Sequence, residues 1–266
     1  MSRPMRQSWL IWATSTAAVF LTAVTTVISG TSQESARGDQ PINHLSGLTT
    51  EYQNSSPIQS QSLGHLSKSS TGYQPVEKVH LAHPSNYGER FSADVSGNAL
   101  SNQYIVVLHE TVGSASSALN LFQTNHPNDA DQVSYHTLIG LDGTIYYVVP
   151  PEQRAFGAGD STFIGTAGEE SVFTNASFPS SVNNFAYHIS LETPPDGQNN
   201  NNAGHSGYTE AQYQSLAWLL ARTTVPNGRI TTHEAVDRSG TRTDPRSFDA
   251  QRLLDLLNQY PSRAGL

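Results

Sequence analysis

YIVVLHE, Tyr104 to Glu110, is the stretch whose reading decides the fold. It is apolar at nearly every position up to Leu108, where a half-exposed strand would alternate. Such a run is expected of a central strand buried on both faces. Ser114–Gln123 follows, with Leu119 and Phe122 at helical spacing behind Ser114, a suitable N-cap. Val133–Ile139 and Thr144–Val149 then read as two strands joined through Leu141-Asp142-Gly143, a hairpin signal. Phe185–Glu192 alternates: Phe185, Tyr187, Ile189 and Leu191 share one face, and Ala186, His188, Ser190 and Glu192 the other. That sets a carboxylate at a strand end. Thr209–Thr223 is an amphipathic helix capped by Thr209, with Tyr213, Leu216, Ala217 and Leu220 on one stripe. A last helix, Ser247–Tyr260, carries Leu253, Leu254, Leu256 and Leu257. Strands interleaved with helices predict an α/β fold, a single domain with a central mixed β-sheet flanked by helices.

Working outward, Arg3 and Arg6 precede an uncharged apolar stretch, Ser8–Gly30. Positive residues before an apolar run predict export, with residues 1–30 a signal peptide or a retained membrane anchor. The expected address is the periplasm or cell envelope, anchored or secreted. Residues 31–79 are rich in Ser and Gln and poor in apolar side chains, so they read as a flexible linker in which His44 and His65 are solvated. Residues 80–266 remain as the folded domain, with Phe163–Asn184 a long surface insertion. The net charge is −8 with 14 Lys+Arg, which argues against a nucleic-acid partner. The chain has no cysteine, so disulfides, thiol nucleophiles and cysteine-type zinc sites are excluded. Any metal must use histidines and carboxylates.

Such residues stand at two places. His109 closes the apolar run, and RITTHEAVDRSGTRTDP, Arg229 to Pro245, supplies His233 and Asp244. The β-branched run Ile230–Thr232 delivers His233, and Asp244 is restricted by Pro245. Imidazole nitrogen and carboxylate oxygen are ordinary zinc ligands, and a catalytic zinc site needs three protein ligands and one open position. Each residue alone also has a plain reading, as a hydrogen-bonded strand-end histidine or a turn aspartate. His109-Glu110 and His233-Glu234 both lack the second histidine of HExxH, so no short signature joins them.

The segments YIVVLHETVG, VSYHTLIGLDGTIYYVVPPEQRAFGAG, NFAYHISLET, YTEAQYQSLAWLLA and RITTHEAVDRSGTRTDPRSFD together resemble the zinc-dependent N-acetylmuramoyl-L-alanine amidases. These form the type 2 group, whose fold is shared with peptidoglycan recognition proteins. The resemblance spans Tyr104–Leu257. It implies one zinc per domain, held by His109, His233 and Asp244, with Glu192 as the strand-end catalytic glutamate. It also implies that Arg242 faces developing negative charge, where many members carry a lysine. The implied reaction is hydrolysis of the amide between N-acetylmuramic acid and the stem-peptide L-alanine, in peptidoglycan or muropeptides. His136 matches a family histidine that is not a ligand; it and His188 are expected to support or pack. Three departures bear on the groove: Gly157 stands where many relatives have a histidine, Arg242 changes the geometry of the cation, and the 160–184 segment is long. The rival reading, a non-catalytic peptidoglycan-binding module, predicts a missing ligand, and here all three positions are filled.

Overall fold

A computed structural model describes residues 72–266. The N-terminal apolar run and residues 31–71 of the Ser/Gln-rich stretch lie outside the described residues. In chain order the strands are β1 (Glu77–Val79), β2 (Tyr87–Glu89), β3 (Ile105–Glu110), β4 (Thr137–Ile139), β5 (Ile145–Tyr147), β6 (Gln153–Ala155), β7 (Phe163–Gly165), β8 (Gly168–Glu170), β9 (Ala186–Leu191) and β10 (Ile230–Thr232). The helices are α1 (Ala115–Gln123), α2 (Glu210–Leu220), the one-turn α3 (His233–Val236) and α4 (Ala250–Leu257).

β3 is buried at all six positions, as its sequence predicts. It lies second from one edge of a six-stranded sheet of order β1-β5-β4-β9-β3-β10. The β3 ladders to β9 and β10 are parallel, as are β4–β9 and β1–β5, while β4 and β5 run antiparallel as a hairpin. The sheet is therefore mixed. Alternate side chains of β3 divide between its faces. Val106 and Leu108 join Tyr187, Ile189 and Leu191 of β9 under α2 and α4, with Leu216, Leu220, Leu253 and Leu257. Each such fully buried leucine contributes about 1.5–3 kcal/mol. Ile105 and Val107 face the other way and meet Phe163, Val172 and Val182. On that second face α1 covers β4 and β5 through Ala115, Ala118, Leu119 and Phe122.

The caps explain where the helices begin. Ser114 accepts from Ser117 N–H, and Thr209 and Gln212 form a reciprocal capping box. In the hairpin turn Gly143 has φ +83°, and a Cβ there would come within 2.9 Å of Ala211 O, Ser215 Oγ and Tyr73 Oη. Packing that turn against α2 requires glycine.

Four expectations are corrected. β1 falls in the stretch read as linker; being a three-residue edge strand with partly exposed side chains, EKV carries no apolar signal. β9 is buried on both faces, and Phe185, just before it, packs with Ile105 and Val107 rather than with Tyr187. The 163–184 segment is no mere surface insertion. Its β7–β8 hairpin and buried Phe163, Val172 and Val182 cover the sheet, and Arg229 ties it down through Glu170 at 2.7 Å. The last helix is shorter than expected at both ends: Asp249 caps its start after Ser247, whose φ is +54°, and Asn258 closes it.

Candidate metal centre

β10 pairs with β3 in parallel, Thr232 opposite Leu108, so the residues that follow each, His233 and His109, emerge at the same end. Thr232 turns the chain by accepting from Ala235 N–H, which makes His233 the first residue of α3. The loop after α3 returns until Asp244 O accepts from Glu234 N–H at 2.9 Å, and the Asp244–Pro245 peptide is cis. His109, His233 and Asp244 thereby each offer one ligand atom, all within 4.8 Å of one another. His233 Nδ1 lies 3.0 Å from Asp244 Oδ1, and His109 Nδ1 lies 3.4 Å from Asp244 Oδ2. This is the group of three that the sequence singled out.

The protonation states suit a cation. Burial lowers His109 to about 4, against the upward pull of Asp244, so the ring is neutral at neutral pH. Burial alone would raise Asp244, but its contacts with His109 and His233 hold it well below the usual carboxylate range. Neutral imidazoles and a carboxylate are the forms a metal binds. His109 Nδ1 is buried and makes no hydrogen bond. An unpartnered buried polar atom costs about 1–3 kcal/mol, and a cation among the three side chains would supply the partner. An all N/O donor set with two histidines and a carboxylate fits zinc.

The next residues along the chain hold this corner together. Glu110 follows His109, and Arg246 stands two beyond Asp244; Arg246 Nε donates to Glu110 Oε1 in a buried ion pair. Tyr208 Oη donates to Glu110 Oε2 at 3.1 Å, and His205 Nε2 lies 3.2 Å from it. Arg246 also donates to the carbonyls of Gly197 and Asn202 at 2.7 and 3.0 Å. The sequence reading passed over this pair. A charged residue ending an otherwise apolar buried strand was the available signal, because such a charge demands a partner.

A second side chain at the centre was also missed. The Tyr135 ring stacks on His109 with centroids 4.4 Å apart. Its hydroxyl is pushed up in pKa by burial and then by the charge of Asp244, with Arg242 opposing, so it is protonated and lies within electrostatic reach of both. Tyr135 makes no side-chain hydrogen bond among the described residues. Arg242 is exposed; its backbone N–H donates to Asp237 Oδ2 at 3.1 Å, and its guanidinium pairs with no carboxylate among the described residues.

Glu192 stands at the end of β9, where the sequence put it, with both carboxylate oxygens engaged. Its Oε1 accepts from Ala115 N–H, the first residue of α1, and its Oε2 from Leu141 N–H in the hairpin turn, both at 2.8 Å. The carboxylate thus ties the start of α1 to the β4–β5 turn and is not a member of the His109–His233–Asp244 group. The β9 residue opposite His109 in the ladder is Ser190, whose Oγ is buried without a partner. His188 is closer still: its Nδ1 lies 2.9 Å from His109 Nε2. His136 Nδ1 accepts from His188 N–H at 2.9 Å, and its Nε2 faces Gln153 O at 3.1 Å. Burial holds both histidines well below the ordinary imidazole value, helped by neighbouring positive or titrating groups, Arg90 at His136 and His109 at His188.

Comparisons with known proteins stand beside this geometry. A solved structure of an AmpD derivative is 25% identical, with 70% of this chain and 96% of that one covered and a TM-score of 0.47. The N-acetylmuramyl-L-alanine amidase AmiD from E. coli, solved with an anhydro-N-acetylmuramic acid peptide substrate, is 19% identical, covers 64% and 65%, and has a TM-score of 0.43. The Drosophila peptidoglycan recognition protein SD is 16% identical, covers 69% and 95%, and has a TM-score of 0.38. A search of curated proteins finds no match. The family described as N-acetylmuramoyl-L-alanine amidase (Amidase_2) matches residues 101–247, more than half of the chain.

Proposed function

Because the chain belongs to the N-acetylmuramoyl-L-alanine amidase family, we propose that it cleaves the amide between the lactyl group of N-acetylmuramic acid and L-alanine of the stem peptide. The substrate would be peptidoglycan or its muropeptide fragments. The observation that carries this reading is the His109–His233–Asp244 group, assembled inside the matched region with a neutral His109, an anionic Asp244 and an unpartnered His109 Nδ1. Those three residues would hold one zinc, whose Lewis acidity supplies a nucleophile at neutral pH and polarises the scissile carbonyl.

The remaining work falls to the chain's own groups. Tyr135, protonated and unpaired beside His109, would donate a hydrogen bond to the carbonyl oxygen as charge builds on it. Arg242, exposed and without a carboxylate partner among the described residues, would approach the same oxygen from solvent. The Glu110–Arg246 pair keeps the strand bearing His109 and the loop bearing Asp244 in register. Glu192, expected to move the proton, has both oxygens engaged by backbone N–H groups, so its catalytic role is tested apart from the others. Address remains a proposal resting on Arg3, Arg6 and the apolar run behind them: the domain acts outside the cytoplasmic membrane, secreted or anchored.

The reading is tested by incubating the full chain with purified cell wall and with muropeptides, with and without chelator. Mass spectrometry should find free stem peptides with an L-alanine amino terminus, and chelation should stop their release. Wall binding without release would favour the recognition module instead.

A further inference from the structure

On the reading that this centre holds a metal, we infer that His188 is the positioning residue for the ligand His109, and that Gly157 is bare so that His188 can occupy its seat. His109 Nδ1 faces Asp244 and has no hydrogen-bond partner, so it is the ring atom available to a metal. A metal bound there leaves the imidazole proton on Nε2. That proton meets His188 Nδ1 at 2.9 Å, which makes His109 the donor and His188 the acceptor. Ligating histidines are commonly oriented by an acceptor on the second nitrogen, most often a carboxylate or a carbonyl. Here the acceptor is another imidazole, delivered by the adjacent parallel strand.

The surroundings hold His188 in one pose. Its N–H donates to His136 Nδ1 at 2.9 Å, and its carbonyl accepts from His136 N–H at 3.0 Å. The two rings lie 10° from parallel with centroids 5.8 Å apart. On another side, a Cβ built at Gly157 would come within 2.6 Å of His188 Cγ and Nδ1. The atom encroached upon is the acceptor itself. Gly157 does not have a positive φ, so it is the room for this ring, and not the backbone conformation, that calls for glycine. His188 Nε2 is buried without a partner. A leucine or phenylalanine would fill the same space with no stranded polar atom, so packing alone does not account for an imidazole here. Its bond to His109 does.

The test measures zinc affinity of the full chain by competition with a chelator of known affinity, so that it does not depend on activity. His188→Leu removes the acceptor and should weaken zinc binding by about 10–100-fold. His188→Gln, which can present an amide oxygen, should recover much of that loss. Gly157→Ala should weaken binding by displacing the ring, and the double variant with His188→Leu should be little worse than His188→Leu alone. With cobalt in place of zinc, the visible bands should move in His188→Leu and return toward wild type in His188→Gln. Wild-type zinc affinity in His188→Leu overturns the inference, as does a Gly157→Ala loss that adds in full to it. Should His188→Leu not fold, unaltered affinity in Gly157→Ala overturns it equally. A wild-type chain that binds no zinc overturns the metal reading instead, so the two failures are told apart.

Discussion

Strands β3 and β9 lie side by side, and each gives way to a glutamate: Glu110 is the last residue of the first, and Glu192 directly follows the second. Glu110 is buried and meets a guanidinium, a phenol and an imidazole, from Arg246, Tyr208 and His205. Glu192 is half-buried and meets two backbone N–H groups, of Ala115 and Leu141. The first carboxylate neutralises a buried cation beside the candidate ligands. The second answers the dipole at the start of a helix and pins a turn. The two glutamates stand one register step apart, since Glu110 lies opposite Leu191, so they leave the sheet on opposite faces and meet different partners.

The centre beside Glu110 should be the sensitive one. His233→Ala removes a ligand and should abolish tight zinc binding, with turnover falling by about 10³-fold or more, read from metal content and stem-peptide release. Next, Glu110→Gln leaves the Arg246 cation without its counter-charge, and breaking such a buried pair costs about 3–5 kcal/mol, measured from denaturant midpoints. If Glu110→Gln proves no more costly than Glu192→Gln, the contrast between the two strand ends collapses. Tyr135→Phe sharpens the chemical side of it. Zinc content should stay at wild type while kcat drops by about 10²-fold, as expected for one lost donor to developing negative charge; an unchanged kcat would strike Tyr135 from the mechanism. The smallest effect is expected for Glu192→Gln: about 1 kcal/mol of stability, the scale of a charge at a helix start, with turnover kept within a few-fold. A loss of about 10²–10⁴-fold at intact zinc content would instead restore Glu192 as the acid–base group that its sequence position suggested.

Long-range pairing explains what could be read beforehand and what could not. YIVVLHE announces a doubly buried strand because every side chain carries the message, and Thr209 with Gln212 announces a helix start locally. The three candidate ligands were legible because the segments that carry them jointly resemble one family, although no short signature links His109 to His233 and Asp244. Glu192 was placed at the end of the correct strand, but its partners lie 77 and 51 residues away, and no local pattern reports them. Tyr135 was passed over for the same reason: its stacking partner His109 comes from another strand, and beside His136 it reads as ordinary core. The β7–β8 hairpin was hidden by composition, since Phe163, Val172 and Val182 are spread thinly among Gly, Ser and Asn.

The edge strand β1 decides how sociable a shortened chain would be. Glu77 and Lys78 give the outer rim of the sheet two charged residues, a common way of discouraging edge-to-edge pairing. A chain started at residue 80, where composition alone would cut it, keeps the whole candidate metal centre but loses that rim. The next strand, uncharged from Ile145 to Tyr147, would then offer open hydrogen-bonding positions, among them the Ile145 N–H that now donates to Val76 O at 2.8 Å. Three inconspicuous residues would separate a preparation that stays dispersed from one whose molecules zip together along their sheets.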